Sequence, residues 1–238
     1  MARHAHHLLE NDHALILAVR LAVMRTHLTH AIKIPYRQGA LLNRFLLQDI
    51  LMARIPIFNE NSEFNPVQRR VVDGILGRRG GRIPGPYRLS LHAPEVTEVW
   101  HPLGEKLRLH SCFPLHQSEF AIIITARCWD CDYVFNAHQK IATDAGLSQS
   151  IVDAMVRNER PKFDKLEEEA IYDYGVELFR NHAISDKSYK RAKDIFGIPA
   201  IVELGCLMGY YGMVAMTLLA HEMPLQDGAV NLQGKVKG

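Results

Sequence analysis

Cysteine is scarce in this chain of 238 residues: there are four, Cys112, Cys128, Cys131 and Cys206. So few in so long a chain exclude a disulfide scaffold. They suit a reducing cytoplasmic compartment, where a close cysteine pair serves catalysis, redox chemistry or metal binding more often than cross-linking. A surplus of charge is missing too. Lys and Arg number 28 against 26 Asp and Glu, a formal net charge of +2, which argues against the concentrated basic face of a nucleic-acid binder. No internal repeat or low-complexity tract stands out. With 47% hydrophobic residues, the chain has enough apolar material for one good core.

The charge is unevenly spread. Residues 1–51 hold six Lys/Arg, three acids and six of the 13 histidines, whereas 52–238 hold 22 basic and 23 acidic residues. An acid-poor, arginine-bearing start fits an amphipathic targeting segment, but serine is lacking, and Arg20 interrupts ALILAVRLAV where a secretory segment would be continuous. MARIPIFNENSEFNPVQRR, from Met52, reads as a fresh chain start. Residues 1–51 are therefore expected to be an extension outside the domain, a mis-assigned start or a targeting segment, with the domain at 52–238. His4, His6 and His7 have no cysteine or carboxylate framework around them, so neither a metal nor another cofactor is expected.

From Met52 onward the signals are helical. Asn65-Pro66 reads as an N-cap with proline at the first helical position, leading VQRRVVDGILGRR to a stop at Gly80-Gly81. RIPGPYR (82–88) reads as a loop, and APEVTEVWHPLGEKLRLH as an interrupted helical stretch. QSEFAIIITAR (117–127) is apolar on nearly every face, which favours a fully buried helix. DYVFNAHQKIATDAG follows as a helix closed by Gly146. Ser148 starts another, Asp164 with Glu167 looks like a capping box, and Ser185 opens a helix that Gly197 ends. IPAIVELGCLMGYYGMVAMTLLA (198–220) is long enough to span a bilayer. Glu203, the glycines and the absence of basic flanks favour instead a buried helix packed by small residues, with Cys206 in its packing.

Chemistry gathers in RCWDCDYVFNAH (127–138). Cys128 and Cys131 form a Cys-x-x-Cys that can close a disulfide, or they are small buried hydrophobes. Residues seven apart on a helix are about 10 Å apart along its axis, so direct hydrogen bonding between Cys131 and His138 is not expected. Tyr133, a water or a second subunit would have to relay a proton. Asp130 and Asp132 oppose the pull of a helix N-terminus on the thiol. Glu119 is expected to be partly buried with a raised pKa suited to proton transfer, or else to serve as a first-turn acid. His138 reads either as its partner or as a core histidine. Arg78, Arg79 and Arg82 would grip an anion or a neighbouring subunit's acids, and Tyr87 and Arg88 are further substrate-contact candidates.

EFAIIITA, WDCDYVFNAHQKIATDAGLS, VQRRVVDGI, GRIPGPYR and GYYGMVAMTLLAHEMPL, in this order, resemble the carboxymuconolactone decarboxylase family, which includes the alkyl hydroperoxidase D proteins. The resemblance runs from about Phe64 to Pro224. It implies an all-α fold of antiparallel helices assembled into a homo-oligomer, a trimer or hexamer. The peroxidase members carry a glutamate twelve residues before Cys-x-x-Cys-x-x-x-His. Glu119, Cys131 and His138 match that pattern, whereas Val134 stands at its second cysteine. Two activities follow from the resemblance. One is thiol-dependent reduction of hydroperoxides: Cys131 attacks, Cys128 resolves, Glu119 and His138 manage protons, and a dithiol reductant restores the pair. The other is cofactor-free decarboxylation or isomerisation of a small carboxylated lactone by Glu119 and His138. A non-catalytic helical oligomer is the third possibility. No nucleic acid or membrane partner is expected.

Overall fold

Asn65 and Gln68 begin the first helix reciprocally: Asn65 Oδ1 accepts from the Gln68 amide at 2.9 Å, and the Asn65 amide donates to Gln68 Oε1 at 3.0 Å. With Pro66 in the first turn, both ends of this capping box satisfy donors that a helix start leaves open. The computed structural model describes residues 53–77, 81–226 and 228–234. The expectations for residues 1–51, for Met52 and for Arg78 and Arg79 lie outside them.

Nine helices form among the described residues, with no strand: α1 (Pro66–Leu76), α2 (Gly85–Ser90), α3 (Pro94–Leu109), α4 (Leu115–Cys128), α5 (Asp132–Asp144), α6 (Gln149–Val156), α7 (Leu166–Asn181), α8 (Asp186–Phe196) and α9 (Ile198–Ala220). The all-α expectation holds. α4 is the axis: every residue from Gln117 to Arg127 is buried, and α5, α6, α7 and α9 pack around it. Phe120, Ile122, Ile123 and Ile124 are fully enclosed, each worth roughly 1.5–3 kcal/mol of apolar burial.

Several local expectations change. The segment 82–88 is not all loop, because α2 starts at Gly85 with Pro86 in its first turn. Amides there have no intrahelical acceptor, so proline is accommodated without losing a bond. α3 runs unbroken through Pro102; this face is exposed, leaving the freed carbonyl toward solvent. Asp164 and Glu167 form no capping box: the N-cap is Lys165, one residue later, and its ammonium bonds Glu168 at 2.9 Å. α1 ends at Leu76, four residues before Gly80.

Other boundaries fall where the sequence places them. α5 closes in a Schellman turn, with Gly146 at φ 108°, its amide on Thr143 O at 3.0 Å and that of Leu147 on Ala142 O at 2.9 Å. Ser185 caps α8. α9 is long and apolar enough to cross a membrane, yet its inner face, including Leu204, Leu207, Met208 and Val214, is buried in the fold. Its outer face exposes Ile198, Val202, Met216 and Leu219, and Cys206 lies on that exposed side rather than in the packing.

Beyond α9 the chain returns as a strap. The Val230 amide donates to Asn136 Oδ1, Asn136 Nδ2 to Val230 O, the Leu232 amide to Asp132 Oδ1 and Arg127 Nη1 to Gln233 O, all within 2.7–2.9 Å. Residues 228–234 are thereby pinned across the α4–α5 junction.

Candidate active site

Four helices line one cavity: α5 contributes His138, α3 Arg108, α2 Tyr87, and α9 Tyr210 and Tyr211. Glu119 of α4 is outside the wall and reaches His138 and Arg108 from within the core. Glu119 is fully buried. Its Oε2 lies 2.5 Å from His138 Nδ1, and its Oε1 accepts from Arg108 Nε at 3.2 Å. A carboxylate on Nδ1 favours the tautomer with its proton there, leaving Nε2 as the nitrogen for exchange with a ligand. Tyr211 stands edge-on to His138, with ring centroids 5.0 Å apart at 84°.

Electrostatics correct the expectation for Glu119. Burial does push its carboxyl up, but the hydrogen bond and charge of His138, with those of Arg108, outweigh burial and hold it below its ordinary value. Glu119 is therefore an ionised anchor, not a carboxylic acid poised near neutrality. Arg108 stays a cation: burial opposes its charge, and Tyr211, Glu119 and Tyr87 around it more than compensate. Its guanidinium gives the Nε–H to Glu119 and carries four further N–H donors.

The cavity has a volume of about 180 Å³, and its walls include Tyr87, Arg108, Tyr133, Val134, His138, Tyr210 and Tyr211. Two glycines make room for tyrosine hydroxyls. A Cβ on Gly104 would lie 2.0 Å from Tyr210 Oη, and one on Gly85 would lie 2.0 Å from Tyr133 Oη. Tyr210 Oη is thereby set 3.2 Å from Tyr87 Oη, a buried hydroxyl pair. Burial pushes the Tyr133 hydroxyl up, against the opposing charge of Arg88.

The cysteines stand elsewhere. Cys131 is the N-cap of α5 and Cys128 the last residue of α4; neither is in the cavity wall. Cys131 is buried and Cys128 half-buried, and neither is in a disulfide. Burial pushes the Cys128 thiol up to about 11, despite the nearby charges of Arg180 and Arg127, so the protonated thiol is favoured at neutral pH. Val134, one turn before His138, lies in the cavity wall.

Two arginine expectations are also corrected. Arg82 is exposed and lines no part of the cavity. Arg88 is spent on structure, donating to Ile83 O at 2.8 Å and to Glu60 at 3.0 Å. The arginine in the cavity wall is Arg108, a residue the sequence analysis did not single out. A lone arginine between Leu107 and Leu109, on a helix ending just before α4, was the available signal. Tyr210 and Tyr211 were not singled out from the sequence, though two polar-tipped aromatics in an apolar run call for hydroxyl partners. Among the described residues no cluster of three His, Cys, Asp or Glu side chains is placed to hold a metal.

No protein-family profile matches the sequence, and no curated protein matches it. Solved structures do. An uncharacterized peroxidase-related protein from Ralstonia eutropha JMP134, described as an alkylhydroperoxidase AhpD core, superposes with a TM-score of 0.60 at 13% identity, covering 74% of this chain and 93% of that one. An uncharacterized peroxidase-related protein from Silicibacter sp. TM1040 gives 0.60 at 14% identity, covering 78% and 96%. The chain has the AhpD-like fold. At such identity the likeness carries architecture alone.

Proposed function

We propose that this AhpD-like protein is a cofactor-free acid/base enzyme that decarboxylates or isomerises a small carboxylated lactone. The observation carrying this reading is the Glu119–His138–Arg108 cluster opening on a tyrosine-walled cavity with no thiol in its wall. Arg108 and the Tyr87–Tyr210 hydroxyls hold the carboxylate and carbonyl oxygens of the substrate. In isomerisation, His138 Nε2 takes a proton from the carbon beside the lactone carbonyl. The electron pair moves into the carbonyl as a dienolate, and the imidazolium returns the proton to the γ carbon, two positions along, so that the double bond shifts into conjugation with the carbonyl. In decarboxylation the bond to the carboxylate carbon breaks instead. Its electron pair enters the same dienolate, CO2 leaves, and the imidazolium supplies the proton that replaces it. Glu119, kept ionised, stabilises the imidazolium in both steps.

A second reading, thiol peroxidase, is favoured by the Cys128/Cys131 pair and by the place of Cys131 beside Tyr133, whose hydroxyl feels its charge. Cys131 thiolate would attack the peroxide, releasing alcohol and leaving a sulfenic acid. Cys128 would then condense with it, releasing water, and an external dithiol would reduce the disulfide. The two fold relatives named peroxidase-related fit this reading, and the elevated Cys128 thiol weighs against it. Under either reading, the exposed apolar residues of α3 (Val96, Val99, Leu103) and α9 support a homo-oligomer.

The deciding experiment is NMR of a carboxylated butenolide incubated with the protein in D2O. Deuterium uptake or CO2 loss that survives Cys128→Ser and Cys131→Ser, and disappears in His138→Ala, establishes acid/base chemistry. No turnover, together with rapid peroxide-dependent loss of two thiols, transfers the function to the cysteines.

A further inference from the structure

We infer that the active site has a second compartment, walled by the C-terminal strap, that takes an uncharged extension of the substrate. The inference rests on the anion-binding reading of Arg108 given above. Next to the catalytic cavity lies another of about 290 Å³, lined by Tyr133, Asn136, Ala137, Leu225, Gln226, Gly228 and Ala229. Tyr133 and Ala137 belong to both walls. They are one turn apart on α5 and so share a face; the partition between the compartments is a single tyrosine ring and a methyl group. Either compartment alone is smaller than an ordinary small-molecule site, and together they fall inside the range of roughly 300–1,000 Å³.

The chemistry of the second compartment is set by what its polar groups already do. Asn136 Nδ2 donates to Asp132 O at 2.8 Å and to Val230 O at 2.7 Å. Its Oδ1 accepts from the Val230 amide at 2.8 Å and from Gln139 Nε2 at 3.1 Å. That is the full capacity of a carboxamide. Asn136 therefore fixes the strap and offers a ligand only its surface. Among the described lining residues no side chain is charged, and Gln226 is the remaining side-chain amide. Leu225, Ala229, Ala137 and the Tyr133 ring supply apolar contact. Such a wall offers contact to a short alkyl or ether chain and, among the described residues, no cation to pair with a second carboxylate.

The partition is also built to be particular. Tyr133 Oη sits where a Cβ on residue 85 would be, so the ring is seated against α2 on one side while dividing two compartments on the other. Specificity for the substrate's length then lies in Tyr133 and in the strap residues Leu225 and Ala229, none of which acts on the reacting atoms.

The test is calorimetric titration of the full chain with benzoate and 4-propoxybenzoate. Each buried methylene is worth a factor of about four, and three of them, discounted for lost freedom, predict about tenfold tighter binding of the propoxy acid. In Ala229→Trp, and independently in Leu225→Trp, an indole enters the second compartment and the ratio of the two affinities should fall to near one. Benzoate binding with no gain from the propoxy group, or a gain that survives both tryptophans, overturns the second compartment and leaves the catalytic reading standing. Benzoate that fails to bind at all, or binds equally well to Arg108→Leu, overturns the anion reading and this inference together.

Discussion

His138 Nδ1 lies 2.5 Å from Glu119 Oε2, across the packing of α4 on α5 and nineteen residues apart in the chain. Neither helix alone has a reason to bury its polar residue. Glu119 sits in the most enclosed helix of the fold, and a carboxylate there is sustained only by the imidazole and by Arg108 arriving from α3.

Removing that charge should be costly. Glu119→Gln leaves Arg108 buried without its counter-ion, and the expected loss is roughly 2–4 kcal/mol of unfolding free energy at pH 7, read from urea denaturation. The folded-state pKa of Glu119 is depressed below its ordinary 4.5. Its contribution is therefore fully present above that pH and is lost as pH falls through the folded-state value. The stability gap between wild type and Glu119→Gln should accordingly be intact at pH 5 and close as acid is added below 4.5. A gap that widened in acid would contradict the ionised carboxylate.

Thiol reactivity gives a second measurement. Cys206 and Cys112 are exposed, Cys128 half-buried and Cys131 buried. Burial and the charge of Glu203 push the Cys112 thiol up, and burial takes that of Cys128 to about 11. Alkylation of the native protein with iodoacetamide, followed by peptide mapping, should label Cys112 well ahead of Cys128 and Cys131, with Cys206 labelled early only where the outer face of α9 is uncovered. Early labelling of Cys131 would return weight to the peroxidase reading.

Much of this architecture was legible in the sequence, and the portions that were not share a cause. The capping residues Asn65, Ser185 and Gly146 act within one turn, so local spacing predicts them. α4 was readable because an apolar stretch without a polar face has nowhere to lie but the core. Glu119 and His138 were paired by the spacing the resemblance implies, yet the direction of the Glu119 shift was not legible, because it depends on His138 and Arg108 both reaching the carboxylate. Arg108 joins the site through the packing of α3, which local spacing does not reveal. The same holds for Tyr210, whose hydroxyl is aimed by Tyr87 and by the missing side chain of Gly104. Cys128 and Cys131 were conspicuous as a motif, but only burial distinguishes a reactive thiol from an inert one.

The strap offers a third prediction. Asn136→Ala removes both hydrogen bonds that join α5 to Val230, while the Asp132 and Arg127 contacts remain. Each lost bond is worth about 1 kcal/mol, so opening of residues 228–234 should become roughly tenfold easier or more, with global stability little changed. Limited proteolysis near the C-terminus should accelerate accordingly, and hydrogen exchange at the Val230 amide should follow. Unchanged exchange at Val230 would mean that Asn136 is not what holds the strap.

A last prediction concerns the tyrosine pair. A methyl group on residue 104 would meet Tyr210 Oη at 2.0 Å, far inside contact distance, so Gly104→Ala must drive the Tyr210 side chain out of its place and break its 3.2 Å bond to Tyr87. Overpacking of this kind costs about 1–3 kcal/mol. Tyr210→Phe alone should cost less, since it deletes one hydroxyl and keeps the ring packed. The double variant distinguishes close packing from general damage. Tyr210 Cζ would still lie 2.3 Å from the new methyl group, so the double variant that makes room is Gly104→Ala with Tyr210→Ala. It should be about as stable as Tyr210→Ala alone, a coupling of about 1–3 kcal/mol. Strict additivity would show that the Gly104 backbone, and not the seat it provides for Tyr210, is what the fold requires.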